Sequence, residues 1–312
     1  MSDKILITGI SGFVGQNLYK FLNNNGKGDI LSLSRNAGDG KEVLTYEGFF
    51  ADSTVSASHY IHLAGKAHDL KKTSDDQAYF DVNFGLTKKL YDRFLADPEA
   101  KNFVFISSVK ACADTVEGWL TEETKCDPVT PYGKSKLQAE EYILKNLPAD
   151  KQVYILRPCM IHGPGNKGNL NLLFAFAKKG LPFPLAAFDN QRSFLSVDNL
   201  CWVILQLLNK DIPSGVYQVA DEGTFSTNQL IRLMAASLNK RAKLWAIPAS
   251  LISACARVGD KLHLPLTSER LKKLTESYKV DNSKIVKSIG EPLPMSAENG
   301  LKKTFDSFKA IK

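Results

Sequence analysis

A tyrosine and a lysine lie four residues apart in the stretch "TPYGKSKLQAEE" (residues 130–141), at Tyr132 and Lys136. Residues at positions i and i+4 share one face of a helix, so the ammonium group can lie near the phenol. A free tyrosine has a pKa of about 10, and a nearby positive charge lowers it toward the working range of a general acid or base. The same spacing on a solvated helix is ordinary surface chemistry, so its meaning depends on the residues around it.

A glycine-rich turn stands near the start of the chain. In "TGISGFVG", Gly9, Gly12 and Gly15 separate the apolar run "KILITG" from a helical pattern that begins at Val14. Glycine permits the tight turn, and the missing Cβ lets a pyrophosphate approach the helix N-terminus, whose free amides attract anions. Between a strand and a helix, this spacing predicts dinucleotide binding rather than a purely structural turn.

The end of the second strand-like run, "DILSLS", indicates which dinucleotide is bound. An acid at this place holds the ribose hydroxyls of NAD, whereas the 2′-phosphate of NADP needs a cation or a small polar group. The chain has Ser34 and Arg35 there and reaches no acid before Asp39. We therefore favour NADP(H), with Arg35 against the phosphate, and keep NAD(H) as the alternative. A solvated loop arginine is the other interpretation of Arg35.

Strand-like and helical patterns alternate along the first half of the chain, with a long helix predicted from about residue 75 to residue 95. This alternation predicts an α/β fold with a doubly wound parallel sheet of the Rossmann type. Ligands bind beyond the carboxyl ends of such strands, which is where Gly9, Ser108 and Pro158 fall.

The composition and pattern of the sequence change near Pro158, where a Gly/Pro/Asn-rich loop leads into a mostly helical remainder. We expect a dinucleotide-binding domain at residues 1–165, with sheet elements returning around residues 192–222. Residues 166–312 are expected to form a smaller, mostly helical lobe that binds the substrate.

Composition sets the broad class. A chain of 312 residues with 44% hydrophobic content can bury a full core, and its apolar runs are far shorter than the roughly 20 residues that span a bilayer. The five cysteines form no CxxC pair, so we expect reduced thiols and no metal site. The net charge of +7 is spread along the chain and interleaved with acids, which favours a small anionic ligand over nucleic acid. We expect a cytoplasmic location, because no long apolar signal segment opens the sequence.

Seven stretches resemble one known family, and these are "TGISGFVG", "IHLAGKAH", "DVNFGLTKKL", "FVFISSVK", "YGKSK", "LRPCMIHGPG" and "RSFLSVDNL". With them the chain resembles an extended short-chain dehydrogenase/reductase of the NAD-dependent epimerase/dehydratase family along essentially its whole length. The resemblance implies an enzyme that binds a nicotinamide dinucleotide and a UDP-sugar. It also implies a homodimer.

The resemblance implies a role for each matching residue. Tyr132 would be the acid/base, Lys136 would bind the nicotinamide ribose and Ser108 would be the hydroxyl partner, with Ser107 less favoured. Cofactor binding is carried over to Gly9, Gly12, Phe13, Val14, Gly15, Arg35, Leu63, Ala64, Asn83, Ser107, Tyr132, Lys136 and Pro158. Substrate binding is carried over to Ser108, Lys110, Asn169 and Arg192. Of these, Arg192 matches the arginine that family members place on the sugar-nucleotide diphosphate, a task that suits a bidentate guanidinium.

Two positions bear on the reaction. Family members that dehydrate sugar nucleotides carry Asp-Glu after the active-site hydroxyl, whereas this chain has Val109 and Lys110. The chain is similar to bacterial enzymes that reduce UDP-4-keto-6-deoxy-N-acetylhexosamines, and a net reduction suits NADPH. We therefore expect NADPH-dependent 4-keto reduction in surface polysaccharide biosynthesis. The alternatives are a UDP-hexose 4-epimerase acting on UDP-glucose or UDP-GlcNAc, and a non-catalytic NADP-binding regulator.

Overall fold

The computed structural model describes residues 3–36, 43–66, 75–166, 168–262 and 267–309. Asp39, which the interpretation of the cofactor used, lies outside the described residues. So do the last two residues of the quoted stretch "IHLAGKAH".

The strands are short and mostly buried. In chain order they are β1 Ile5–Thr8, β2 Ile30–Ser34, β3 Val43–Thr45, β4 His59–His62, β5 Asn102–Ile106, β6 Trp119–Leu120, β7 Gln152–Pro158, β8 Met160–His162, β9 Phe194–Ser196, β10 Gly215–Val219 and β11 Lys279–Val280.

The helices alternate with these strands through the first part of the chain and dominate its end. They are α1 Phe13–Asn24, α2 Tyr46–Ala51, α3 Gln77–Tyr79, α4 Leu86–Ala96, α5 Pro131–Lys145, α6 Asn169–Lys178, α7 Val197–Asn209, α8 Thr227–Ser237, α9 Ala249–Leu262, α10 Ser268–Thr275, α11 Ser283–Ile289 and α12 Ala297–Lys309.

Within the described part of the chain, seven strands form one parallel sheet in the order β10-β7-β5-β4-β1-β2-β3. Every residue of β1, β4 and β5 is buried, because helices cover both faces of the sheet. The strand order reverses between β1 and β4, and ligands bind at such a reversal in doubly wound sheets. The predicted fold class is therefore confirmed, while the short strand β3 was not predicted.

Apolar side chains cluster in more than one place. Two large clusters cover the two faces of the sheet. A third is formed by α6, α8, β9 and α12, and here Phe174 packs against Phe305 and Phe308 of the last helix. A fourth holds Phe183 and the buried face of α9. The two smaller clusters, built mainly from residues after 165, suit a separate substrate lobe, and the domain division stays a proposal.

The predicted long helix is interrupted. A π-helical segment, Phe80–Gly85, joins α3 to α4 and adds a local bulge. Thr87 Oγ1 donates to the carbonyl oxygen of Asn83 at 2.7 Å, so a side chain takes up a backbone acceptor within the bulge. The sequence pattern predicted one continuous helix and did not indicate this bulge.

In the described ranges, no helix combines the length and the apolar character that crossing a membrane requires.

His62 offers a test of how the sheet is assembled. It is fully buried on β4, where its ring nitrogens bond Thr8 Oγ1 at 2.6 Å and Thr87 Oγ1 at 2.9 Å. Burial, aided by the charge of Lys136, lowers the pKa of His62 from 6.5 to about 3. Between these values the unfolded chain binds a proton that the folded chain does not, so stability rises with pH across this window and is lost on acidification.

We expect acidification from pH 8 to about pH 5 to remove about 2 kcal/mol of unfolding free energy through His62 alone. Urea unfolding at both pH values measures this loss in the wild type and in His62→Gln. The loss on acidification should be smaller in the variant by that amount. An equal loss in both proteins would contradict the assignment.

Candidate active site

Helix α5 begins where the sequence predicted. Thr130 Oγ1 accepts a hydrogen bond from the amide of Gly133 at 3.1 Å, and Pro131 occupies the first helical position. A Cβ on Gly133 would lie 2.4 Å from the carbonyl oxygen of Lys110. The first turn of α5 therefore packs directly on the backbone that follows Ser108.

This packing brings two predicted catalytic groups together. The side chains of Tyr132 and Ser108 share a hydrogen bond, and the ring of Tyr79 meets that of Tyr132 edge-on, with centroids 6.4 Å apart. Burial raises the pKa of Tyr132 above its ordinary value, and the bond with Ser108 opposes that shift. The phenol therefore carries its proton at neutral pH and is able to donate it.

Lys136 lies one turn further along α5 and is only 4% exposed. Its Nζ donates to the carbonyl oxygen of Ile106 at 2.9 Å and lies 4.7 Å from the ring centroid of Phe105. Burial lowers the pKa of Lys136 to about 8, and the charge of Glu140 opposes this shift. We expected the ammonium to lower the pKa of Tyr132, but that pKa is raised, because burial is the largest influence on the phenol.

A buried ion pair that was not predicted joins the same helix to β7. Arg157 Nε donates to both carboxylate oxygens of Glu140, at 3.1 and 3.0 Å, and its Nη2 donates to Oε2 at 2.5 Å. The hydroxyl of Ser107 donates to the same carboxylate. Glu140 stands four residues after Lys136, a spacing that could have revealed it as a further member of this helix face.

The glycine turn forms a cradle beside β4. Gly9 has a φ of +74°, and a Cβ there would lie 2.7 Å from the amide nitrogen of Ala64. A Cβ on Gly15 would lie 2.3 Å from the carbonyl oxygen of Gly9. The N-terminus of α1 has no side-chain cap and no acidic residue in its first turn. These features fit a dinucleotide phosphate, since only glycine leaves the space and the helix end favours an anion.

The other residues predicted to bind the cofactor fall at the same edge of the sheet. Phe13 and Val14 open α1, Leu63 and Ala64 follow β4, and Pro158 ends β7. Ala64 N donates to Thr8 Oγ1 at 3.1 Å, which fixes the turn after β4. The sheet therefore brings these positions together, as its topology predicts.

Asn83 is fully buried and its amide is engaged within the protein. Its Oδ1 accepts from the amide of Lys66 at 2.7 Å, and its Nδ2 donates to Ser135 Oγ at 3.0 Å. Ser135 Oγ in turn donates to the carbonyl oxygen of Tyr132 at 2.9 Å. Asn83 thus ties the turn after β4 to α5, and a direct contact with the cofactor stays a prediction.

Arg35 is exposed directly after β2, and its charge acts on the nearby phenol of Tyr46. The described residues that follow the strand, Arg35 and Asn36, include no acid. A cation is therefore present where a 2′-phosphate would need one.

Arg192, predicted to bind the substrate diphosphate, is paired with an acid. Its Nη2 is 3.5 Å from Glu276 Oε1, and its backbone exchanges two hydrogen bonds with Phe225. Burial lowers the pKa of Arg192, and the charge of Glu276 opposes this shift. Glu276 was not predicted, because only the fold brings residue 276 to residue 192.

Tyr278 connects the backbone beside Arg192 to the loop that follows Ser108. The amide of Ser193 donates to the carbonyl oxygen of Tyr278 at 2.9 Å, and Tyr278 Oη donates to the carbonyl oxygen of Ala113 at 2.7 Å. Lys110 Nζ lies 4.3 Å from the same ring centroid and donates to the carbonyl oxygen of Asp114 at 2.6 Å. Lys110 is thus engaged by this loop, and a contact with substrate stays a prediction.

The asparagines of the loop before α6 divide by role. Asn171 Oδ1 accepts from the amide of Gly168 at 3.0 Å, and Asn166 forms a turn with Gly163. Asn171 and Asn166 therefore act as helix-capping and turn residues. Asn169 is exposed at the first position of α6, and its predicted contact with substrate remains a prediction.

Comparison with known proteins identifies the family and the fold. The model of the NAD dependent epimerase/dehydratase family matches residues 5–220. A UDP-glucose 4-epimerase of Vibrio cholerae is 31% identical, covering 99% of this chain and 96% of the relative. An N-acetyl-alpha-D-glucosaminyl-diphospho-ditrans,octacis-undecaprenol 4-epimerase of Escherichia coli O157:H7 is 28% identical. The match covers 97% of this chain and 95% of the relative. The structure of a UDP-glucuronic acid 4-epimerase from Bacillus cereus in complex with NAD has a TM-score of 0.75 at 18% identity. The match covers 99% of this chain and 97% of that chain.

Removing one partner of the buried pair between Glu140 and Arg157 tests how much the pair contributes to stability. We expect Glu140→Gln to lower the free energy of unfolding by about 3 to 5 kcal/mol, because Arg157 is left buried and uncompensated. Urea unfolding at neutral pH measures this. In the control Glu298→Gln, which breaks an exposed pair with Lys302, the loss should stay below about 1 kcal/mol. Similar losses of unfolding free energy in the two variants would show that the buried pair stabilises the protein no more than an exposed pair does.

Proposed function

This chain belongs to the NAD-dependent epimerase/dehydratase family, and we propose that it reduces the C4 carbonyl of a nucleotide-linked keto sugar. The observation that carries the proposal is the protonated phenol of Tyr132, hydrogen-bonded to Ser108 at the carboxyl edge of the sheet. A proton donor and a neighbouring hydroxyl are what a carbonyl oxygen needs as it becomes an alkoxide.

The glycine cradle and the amide end of α1 would hold the diphosphate of a nicotinamide dinucleotide, and Lys136 would face its ribose. When bound, this cofactor supplies the hydride. The protein supplies the proton: Tyr132 Oη donates to the C4 oxygen, while the Ser108 hydroxyl bonds that oxygen and fixes its position. Lys136, buried with its pKa lowered to about 8, supplies a positive charge that stabilises the resulting phenolate.

Arg35 supports net reduction. A 2′-phosphate contact would favour NADPH, the cofactor of reductive steps, whereas an epimerase returns its hydride to the same substrate and needs no net supply. The substrate diphosphate would be held by Arg192, which would exchange its contact with Glu276 for the phosphate oxygens.

Dehydration of the sugar is not supported. It needs an acid and a base directly after the serine, and this chain has a buried Val109 and a Lys110 whose ammonium is held at Asp114. Neither side chain is suited to expel water from a sugar.

The second candidate is a hexose 4-epimerase, because two relatives that match nearly the whole chain carry that name. In that reaction Tyr132 first accepts the proton of the C4 hydroxyl and later returns it. Their names also give two carriers for the sugar diphosphate, uridine and a polyisoprenol, and Arg192 suits the diphosphate that both share. A non-catalytic regulator is the third candidate, and the complete set of Ser108, Tyr132 and Lys136 speaks against it.

The assay for the first candidate combines the protein with a UDP-4-keto-6-deoxy-N-acetylhexosamine and NADPH and follows the absorbance of the reduced cofactor. We expect cofactor oxidation in step with product, and a loss of about 10²- to 10⁴-fold in kcat for Tyr132→Phe, since the proton donor is removed. Tyr142→Phe, on the same helix but bonded to Asp92, is the control and should keep its activity.

The outcomes separate the candidates. Absence of oxidation, together with interconversion of UDP-glucose and UDP-galactose without added reductant, would overturn the reductase in favour of the epimerase. Absence of both reactions, with Tyr132→Phe unchanged in biological output, would favour the regulator.

The choice of cofactor is tested at Arg35. We expect Arg35→Ala to lower the ratio of kcat/KM for NADPH to that for NADH by about tenfold or more, because a charge-assisted contact to the 2′-phosphate is lost. Lys20→Ala, which removes an exposed cation from the body of α1, should leave the ratio unchanged. An unchanged ratio in Arg35→Ala would remove the basis for NADP(H).

A further inference from the structure

Helix α9 carries an apolar face that the fold leaves in solvent. Leu251, Cys255, Val258 and Leu262 follow one another at helical spacing, and we call them the lateral face. The three large side chains among them are 55%, 50% and 64% exposed, and Cys255 is exposed as well. A sequence pattern alone would predict these residues to be buried, so their exposure needs a reason.

The lateral face is distinct from the face that holds α9 in the protein. Ile252, Ala256 and Gly259 are buried, and the first two pack with Leu271 of α10 in the same apolar cluster. At about 100° per residue, the centre of the lateral face lies roughly a quarter turn from this buried face. The helix is therefore anchored by one face and offers a second to a partner.

Positive charge is concentrated around this face. Residues 240–274 contain eight lysines and arginines but only two acids, so they account for nearly all of the net charge of +7. The net charge was expected to be spread along the chain, but most of it lies in this segment. Exposed cations of the segment are Lys240, Arg241, Lys243, Arg257, Lys261, Arg270 and Lys272.

Further exposed apolar side chains lie in the same segment. Of the twelve large hydrophobic residues that are exposed in the described chain, five fall between residues 245 and 274. They include Trp245, 57% exposed just before α9, and Leu274, 44% exposed on α10. Apolar exposure and positive charge thus occur together here, which is unusual for a solvated surface.

We propose that the lateral face of α9 binds the surface of a bilayer that contains anionic phospholipid. An amphipathic helix with apolar residues on one side and cations beside them inserts that side among the headgroups and acyl chains, while the cations meet lipid phosphates. At 100° per residue, the exposed Arg257 and Lys261 lie on the side of α9 opposite its buried face, and Lys261 is about a quarter turn from the centre of the lateral face. Tryptophan also favours the interface.

Charge argues against a second copy of the chain as the partner. A two-fold interface places the same patch on both sides, so two strongly positive segments would face each other. The lateral face also presents only four side chains, whereas a stable dimer needs about 800 Å² from each partner. An anionic surface satisfies both the apolar face and the charge.

Sedimentation with lipid vesicles tests the proposal without substrate, so the result does not depend on the reaction proposed above. We expect the full chain to bind vesicles that contain phosphatidylglycerol at least tenfold more tightly than vesicles of phosphatidylcholine alone, and to lose this preference at high salt. Equal or absent binding to the two kinds of vesicle would overturn the proposal.

Two variants examine the two components of the face. Leu251→Ser combined with Leu262→Ser should weaken binding to the phosphatidylglycerol vesicles by about tenfold or more. The matched control, Leu147→Ser with Leu172→Ser, removes two exposed leucines elsewhere and should bind normally. Arg257→Gln with Lys261→Gln should weaken binding about tenfold, and Lys20→Gln with Lys145→Gln should not. Equal effects in test and control variants would overturn the assignment to α9.

Thermal melts check that each variant is folded, and light scattering measures self-association. All substituted side chains are exposed, so the melting temperature should hold in every variant, and if the leucine variant unfolds, the charge variant still tests the proposal. Loss of self-association in the leucine variant, without vesicle binding by the wild type, would assign the face to a second copy and overturn the proposal.

Discussion

The buried ion pair between Glu140 and Arg157 is the interaction on which the site depends. It fastens α5 to β7, and through the hydroxyl of Ser107 it also reaches the end of β5. Helix α5 carries the phenol and the ammonium, and the serine follows β5. Burying a charge pair costs desolvation free energy. Once the pair is formed it tolerates little displacement, because separating the partners would leave two buried charges uncompensated. The pair therefore fixes the position of α5 relative to β7.

Much of the frame was predictable from the sequence, because its signals are local. Gly9 and Gly15 must be glycine for reasons of backbone conformation and approach that a single turn determines, and α5 is marked at its start by Thr130 and Pro131. Alternating apolar runs specify a doubly wound parallel sheet, since right-handed crossovers leave few other arrangements. Residues at the ends of its strands then meet at one edge, and the roles of Tyr132 and Ser108 were predicted from the resemblance to the family.

What could not be predicted arises from contacts between distant parts of the chain. No local rule pairs Glu140 with Arg157 or Glu276 with Arg192, because partners are chosen by the packing of whole elements. The same holds for side-chain direction: Lys110 follows the serine in sequence, yet its ammonium is drawn to Asp114 and the ring of Tyr278. The raised pKa of Tyr132 is a further case, since i,i+4 spacing reports a neighbouring charge but says nothing of desolvation, which here outweighs it.

Tyr278 also limits how such an enzyme can be rebuilt. Its hydroxyl donates to the carbonyl oxygens of Val109 and Ala113, while its backbone bonds those of Gln191 and Ser193 on either side of Arg192. A chimera that takes its sugar-recognition segment from another protein would have to import this tyrosine together with a matching backbone on the serine side. Recombination breakpoints placed between the two would separate a donor from its acceptors, so laboratory evolution of new specificities should advance by point substitution more readily than by exchange of segments.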